Sequence, residues 1–86
     1  MLNFPNVSRS YDPTRRSVRF WGHDGALEVS FFVEEAALVR IAPGTKHNEV
    51  AVLQCFDAHR DRILTVARTV YARRNKGAYT LLASDF

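Results

Sequence analysis

The segment Phe56-Asp-Ala-His-Arg-Asp-Arg-Ile63 gathers the side chains best suited to chemistry. His59 follows Cys55 by four positions, a spacing that sets two soft ligands on one flank of a helix. Zinc takes three or four protein ligands, and His23 and His47 fall on other elements without ligand spacing, so no metal is expected. A nucleophilic Cys55 would need an activated thiolate with access to solvent, whereas a mid-helix cysteine beside Phe56 reads as an inert filler. The four glycines form no phosphate-cradling loop, and no cofactor is expected.

Arg60 stands out within this segment. At the helical period it falls inside an apolar stripe, between Phe56, Ile63 and Ala67, where a charge is out of place. Three roles are open to it. Its stem can pack while the head stays in water. It can pair with a carboxylate, Asp57 at i−3 or Asp85 near the end of the sequence. Or, with His59, it can form an anion or partner site. A buried pair would make Arg60→Ala cost ~3–5 kcal/mol, because an orphaned carboxylate would remain. An enzyme built on His59 and Arg60 would require a concave pocket around them.

A second candidate combines Arg19 and Trp21 on one strand with Arg15 and Arg16 just before it. Aromatic and basic side chains on an open sheet are the makings of a single-strand nucleic-acid platform. The same patch suits self-association or a protein partner, since exposed patches with a large ring tend to be interfaces. A terminal segment folded over Trp21 would instead make a small second core. Arg68, Arg73, Arg74 and Lys76 concentrate charge at the end of a helix, where it complements the macrodipole and keeps the surface solvated. The Arg73-Arg74 pair would add backbone contacts to a nucleic acid. Lys76-Gly77-Ala78-Tyr79 opens like an RNA-recognition motif, but alanine stands where its first aromatic belongs.

The elements that must position these groups are legible in outline. Residues 1–16 are irregular, with a turn at Asp12-Pro13-Thr14-Arg15 and a short strand expected from Val7 to Tyr11. Two alternating runs, Ser17–His23 and Ala26–Val33, flank Asp24-Gly25, which predicts a two-residue hairpin with His23 opposite Ala26 and Phe20 opposite Val29. Val18, Phe20, Leu27, Val29, Phe31 and Val33 then form the core face. Ser17, Arg19, Trp21, His23, Glu28, Ser30 and Phe32 lie on the other. A short helix is expected over Glu34–Ile41 and a long one from about Asn48, its N-cap with Thr45 competing for the role, to about Asn75. Ala78–Ser84 alternates as a last strand. The fold class is α+β: a small antiparallel sheet, from the hairpin and the C-terminal strand with a further N-terminal strand where one forms, packed on one short and one long helix.

At 86 residues, one domain spanning 1–86 is expected. The hydrophobic fraction of 47% is too high for intrinsic disorder. A single cysteine forbids an internal disulfide, and the sequence opens without a basic start and apolar core of a secretory signal, so a cytoplasmic location is expected. No run is long enough to span a membrane. The net charge of +3, from scattered basic and acidic residues, is a mild tilt.

Taken together, Val18-Arg-Phe-Trp-Gly-His-Asp24, Phe31-Phe-Val-Glu-Glu-Ala-Ala-Leu38, Phe56-Asp-Ala-His-Arg-Asp-Arg-Ile63 and Ser84-Asp-Phe86 carry a resemblance. The chain resembles the short bacterial proteins grouped as domain-of-unknown-function family 1488, along essentially its whole length. The resemblance implies a bacterial cytosolic α+β protein and brings no activity, cofactor or catalytic residue. In function, the residues favour a non-catalytic binding or accessory module acting through a protein partner or as a homo-oligomer. The alternative is a basic nucleic-acid-binding or regulatory protein using Arg15, Arg16, Arg19, Trp21 and the Arg73-Arg74 pair.

Overall fold

The computed structural model describes residues 1–73 and 79–86. The elements run β1 (Leu2–Asn3), β2 (Arg9–Asp12), β3 (Ser17–Asp24), β4 (Leu27–Glu34), α1 (Glu35–Ile41), α2 (Glu49–Ala58), α3 (Arg60–Arg73) and β5 (Tyr79–Leu81), ending in a 3₁₀ turn at Ala83–Asp85. One five-stranded sheet has the order β1-β3-β4-β5, and β2 pairs with β3 beside β1.

The two faces of the hairpin fall as the alternation predicts, except that Leu27, expected in the core, is 63% exposed beside the turn, and the register is moved by two residues. Phe20 stands opposite Phe31, Trp21 opposite Ser30 and Asp24 opposite Leu27. The turn is therefore Gly25-Ala26, with a positive φ of 62° at Gly25, the first-position glycine of a type II′ turn. Asp24 stays in the strand because its carboxylate is held there. The Tyr71 hydroxyl donates to Oδ2 at 2.6 Å and the Met1 ammonium to Oδ1 at 2.9 Å. A shift of two preserves the faces, so Val18, Phe20, Phe31 and Val33 remain fully buried.

β1, β2 and β4 all pair antiparallel to β3, whereas β5 runs parallel to β4, with Phe31 beside Tyr79 and Val33 beside Leu81. The sheet is mixed rather than wholly antiparallel. Parallel neighbours require a long crossover, and α1, α2 and α3 form it. The expected long helix is two helices parted at His59. That residue leaves helical geometry (φ −116°, ψ 21°), and its N–H is shared between the carbonyls of Cys55 and Phe56. Asn48 caps α2 as expected, accepting from Ala51 N–H at 2.9 Å. The apolar stripe survives the break, through Val52 and Phe56 on α2 and Ile63, Ala67 and Val70 on α3.

The helices cover one face, where an aromatic spine crosses three strands. Ring centroids lie 5.3 Å apart for Phe20–Phe31 and 5.4 Å for Phe31–Tyr79, and Phe56 of α2 caps Phe20 at 5.2 Å. Phe4 joins from the N-terminal segment, 5.6 Å from Phe31, and it fits only because residue 22 is glycine. A Cβ on Gly22 would lie 2.7 Å from the Asn3 carbonyl oxygen and 2.9 Å from the Phe4 ring. Gly22→Ala is therefore expected to push β1 and Phe4 off the sheet at a cost of ~1–3 kcal/mol, read as a lower urea midpoint. An unchanged midpoint would show that β1 moves aside freely.

Candidate functional site

The sheet face away from the helices carries Arg19, Trp21 and His23 of β3 beside Glu28, Ser30 and Phe32 of β4. Strand alternation sends them there once Phe20 and Phe31 turn inward. Each large ring on this face is paired with an arginine. The Arg15 guanidinium carbon lies 3.8 Å from the Phe32 ring centroid, and that of Arg19 lies 5.1 Å from the Trp21 ring. Arg19 is held in place by donating from Nη2 to Ser30 Oγ at 3.1 Å. Phe32 is only 7% exposed, although it stands on the face away from α1, α2 and α3, while Trp21 stays half-exposed. The N-terminal segment does not fold over Trp21; it pairs with the edge of β3 and turns Phe4 to the helical side.

The structure joins Arg15, Arg19 and Trp21 but parts them from the other basic candidates. Arg16 turns its side chain to the helical side, donating from Nε to Glu35 Oε2 at 3.0 Å. Arg73 ends α3, two residues beyond the Tyr71 that reaches Asp24 at the hairpin end of β3. Arg15 and Arg16 stand at the opposite end, and seven strand steps make β3 about 23 Å long. Arg74 and Lys76, with the Lys76-Gly77-Ala78 motif, lie outside the described residues.

At the helix break, Asp57 is claimed by a residue of β2 rather than by Arg60. Arg9 grips it with a two-pronged fork, Nε to Oδ1 at 2.9 Å and Nη2 to Oδ2 at 2.7 Å. The hydrogen bond from Arg9 pulls the Asp57 carboxyl below its ordinary value. Arg60 instead donates from Nη2 to the Val7 carbonyl and lies over the Phe56 ring at 5.0 Å. It is half-buried, and its role is to clamp the N-terminal segment onto α2 and α3. Asp85 accepts from the Leu82 N–H at 2.8 Å. The hollow beside His59 is lined by the consecutive residues 57–62 of the break itself. Among the described residues no three His, Cys, Asp or Glu side chains stand together as metal ligands.

Sequence reasoning passed over Glu35, which is 5% exposed. Its Oε2 accepts from the Tyr11 hydroxyl at 3.1 Å and from Arg16 Nε at 3.0 Å. Its Oε1 is buried and has no hydrogen-bond donor, and His47 Nδ1 stands 3.8 Å away. Burial and the bond to Glu35 push the Tyr11 phenol up. A signal was present: continuing the β4 alternation past Val33 and Glu34 aims Glu35 inward. An acid in the first turn of a helix reads as an ordinary dipole complement, and that hides it.

A family model described as "Protein of unknown function (DUF1488)" matches residues 2–82. The chain belongs to that family. A crystal structure of a DUF1488-family protein of unknown function from Shewanella loihica PV-4 superposes with a TM-score of 0.82 at 14% identity, covering 93% of this chain and 90% of the other. At that identity the likeness speaks for the fold alone. No curated protein matches.

Three outcomes follow from these contacts. Arg60→Ala is expected to cost about 1 kcal/mol in a denaturant melt, for one hydrogen bond and one ring contact, because no carboxylate is orphaned. A loss of several kcal/mol would restore the buried-pair role. Asp24 and Asp57 are both held below their ordinary values, by the Tyr71 hydroxyl and by Arg9. Lowered carboxyl values stabilise the fold above the unfolded value of about 3.9 and lose that effect as pH falls through the folded values. Stability should therefore drop on acidification below about pH 4. Arg9→Ala should move the Asp57 carboxyl, followed by carbon NMR, back toward its ordinary value; an unmoved titration would reject Arg9 as the cause.

Proposed function

We propose that this member of the DUF1488 family is a non-catalytic binding module that receives a protein partner on its outer sheet face. The observation that carries the reading is the pairing of each outer ring with an arginine, Arg15 with Phe32 and Arg19 with Trp21. Such pairs hold rigid, amphipathic side chains in place before any partner arrives, which lowers the ordering cost of binding. Tryptophan and arginine are also the residues that most often carry interface energy. Burial of Trp21 and the flanks of the two guanidinium planes against a partner would extend an apolar strip whose edges are polar.

Nucleic-acid binding is less favoured by the same geometry. The arginines lie across the ring faces on which bases would stack. Arg16 is neutralised by Glu35, and Arg73 lies toward the far end of the molecule, so among the described residues no continuous basic strip follows the sheet.

A pull-down from host lysate with and without nuclease separates the readings. The expected result is a protein that survives nuclease with wild type and is lost with both Trp21→Ala and Arg19→Glu, while sedimentation shows whether that protein is a second copy. Nucleic acid that co-elutes and is shed as salt rises would reverse the order of the two readings. Partner capture unaffected by both substitutions would move the interface off this face.

A further inference from the structure

We propose that the cleft above Glu35 is a subsite for an alkylammonium group, the lysine side chain of a protein partner. The proposal rests on the outer-face reading, and it begins from the oxygen that the fold leaves without a donor. A buried carboxylate oxygen with no partner is costly, and such groups are uncommon in native interiors. Here the cost is accompanied by backbone strain. Arg16, which holds the other oxygen, has φ 49°, in the left-handed region that a non-glycine residue seldom adopts.

The cleft is lined by Arg15, Arg16, Glu34, Glu35, Ala36 and His47. His47 covers Oε1 at 3.8 Å, beyond hydrogen-bond length, and its side chain is 60% exposed on the connection between α1 and α2. It is a cover that can swing aside without disturbing the core. The chemistry of the occupant follows from what is free. A divalent metal would need further ligands, and no three ligating side chains converge among the described residues. A guanidinium binds best through two parallel bonds to both carboxylate oxygens, but Oε2 is already doubly occupied. An ammonium is a compact charge with three donors and satisfies a single oxygen. Glu34, on the same lip, offers a second carboxylate, and Glu49 adds negative charge on the Tyr11 side. Of the two arginines, Arg16 is spent on Glu35 and Arg15 lies over Phe32. Ala36 and the arginine stems offer apolar wall for a lysine stem.

A protein is the source that the placement favours. Two of the residues that line the cleft, Arg15 and Glu34, also belong to the outer sheet face: Arg15 stacks on Phe32, and Glu34 stands opposite Ser17 on that side. A chain lying on the outer face passes the mouth of the cleft.

The test needs no identified partner. The isotope-labelled full chain is titrated by NMR with Nα-acetyl-lysine amide, with the same compound acetylated on Nε, and with putrescine. The expected result is saturable shifts at Glu35, Ala36 and His47 with the free amine and none with the acetylated probe, whose charge is gone. Glu35→Gln should abolish the shifts, and His47→Ala, which only removes the exposed cover, should fold normally and bind several-fold more tightly. Shifts that persist in Glu35→Gln, or no shift in either wild type or His47→Ala, would overturn the subsite and leave the outer-face pull-down standing. Tighter binding of putrescine than of the lysine probe would overturn the protein source.

Discussion

Phe20 and Phe31 face each other across the β3–β4 hairpin with ring centroids 5.3 Å apart and planes 16° from parallel. Nearly every other placement depends on that pair. With both rings buried under the helices, alternation sends Arg19, Trp21 and Phe32 to the opposite face. A slip of one residue would exchange the two sets, burying a guanidinium and exposing the aromatic spine. The spine extends the same constraint outward, since Tyr79 stacks on Phe31 and so brings β5 beside β4, while Phe56 seats α2 on Phe20.

Polar ties complete what the rings begin. Of the first twelve residues only Leu2 is buried, and their strands are of two and four residues, and yet they stay on the sheet. Arg9 to Asp57, Arg60 to the Val7 carbonyl and Tyr71 to Asp24 all join β-layer to helix layer across the edge of the molecule. Exposed pairs of this kind add little stability each, at most about 1 kcal/mol. Their value lies in direction: they fix where an otherwise loosely held segment runs, and Phe4 then has a single hollow, above Gly22, into which it fits.

The local features were legible in the sequence and the long-range ones were not. Period-two alternation named both faces of the hairpin, and the Asn48 cap was readable because its partner, Ala51, is three residues away. The hairpin register is not readable locally, because Asp24 answers to Tyr71, which is 47 residues distant. Helical spacing suggested Asp57 for Arg60, but a forked contact from Arg9, 48 residues away, outcompeted it. The parallel direction of β5 was readable in principle, since neighbouring strands joined through helices run parallel. Nothing in Ala58-His59-Arg60 resembles a helix breaker, and the break there has no local cause in residue type. Of the candidate site, the Arg15, Arg19 and Trp21 grouping was visible from spacing. Glu35 was not, because its partners Tyr11 and Arg16 lie 24 and 19 residues earlier, on β2 and in the β2–β3 turn.

The strain at Arg16 and the unpaired oxygen of Glu35 share one origin. The β2–β3 turn is closed by Asp12, whose carboxylate accepts from the Thr14 and Arg15 N–H groups, and the chain must then re-enter the sheet with Ser17 opposite Asp12. Arg16 takes the left-handed conformation in that gap, and its carbonyl accepts from the Glu35 N–H at 3.1 Å where α1 begins. The same residue thus holds Glu35 by backbone and by side chain, on one side only. Such a grip fixes Oε2 against the sheet and leaves Oε1 facing the α1–α2 connection, where the polar neighbour is His47. A carboxylate needed only for stability would be better served by donors on both oxygens. The arrangement is economical instead for a site in which the fold supplies one side of the carboxylate's hydrogen bonding and the second donor arrives from outside.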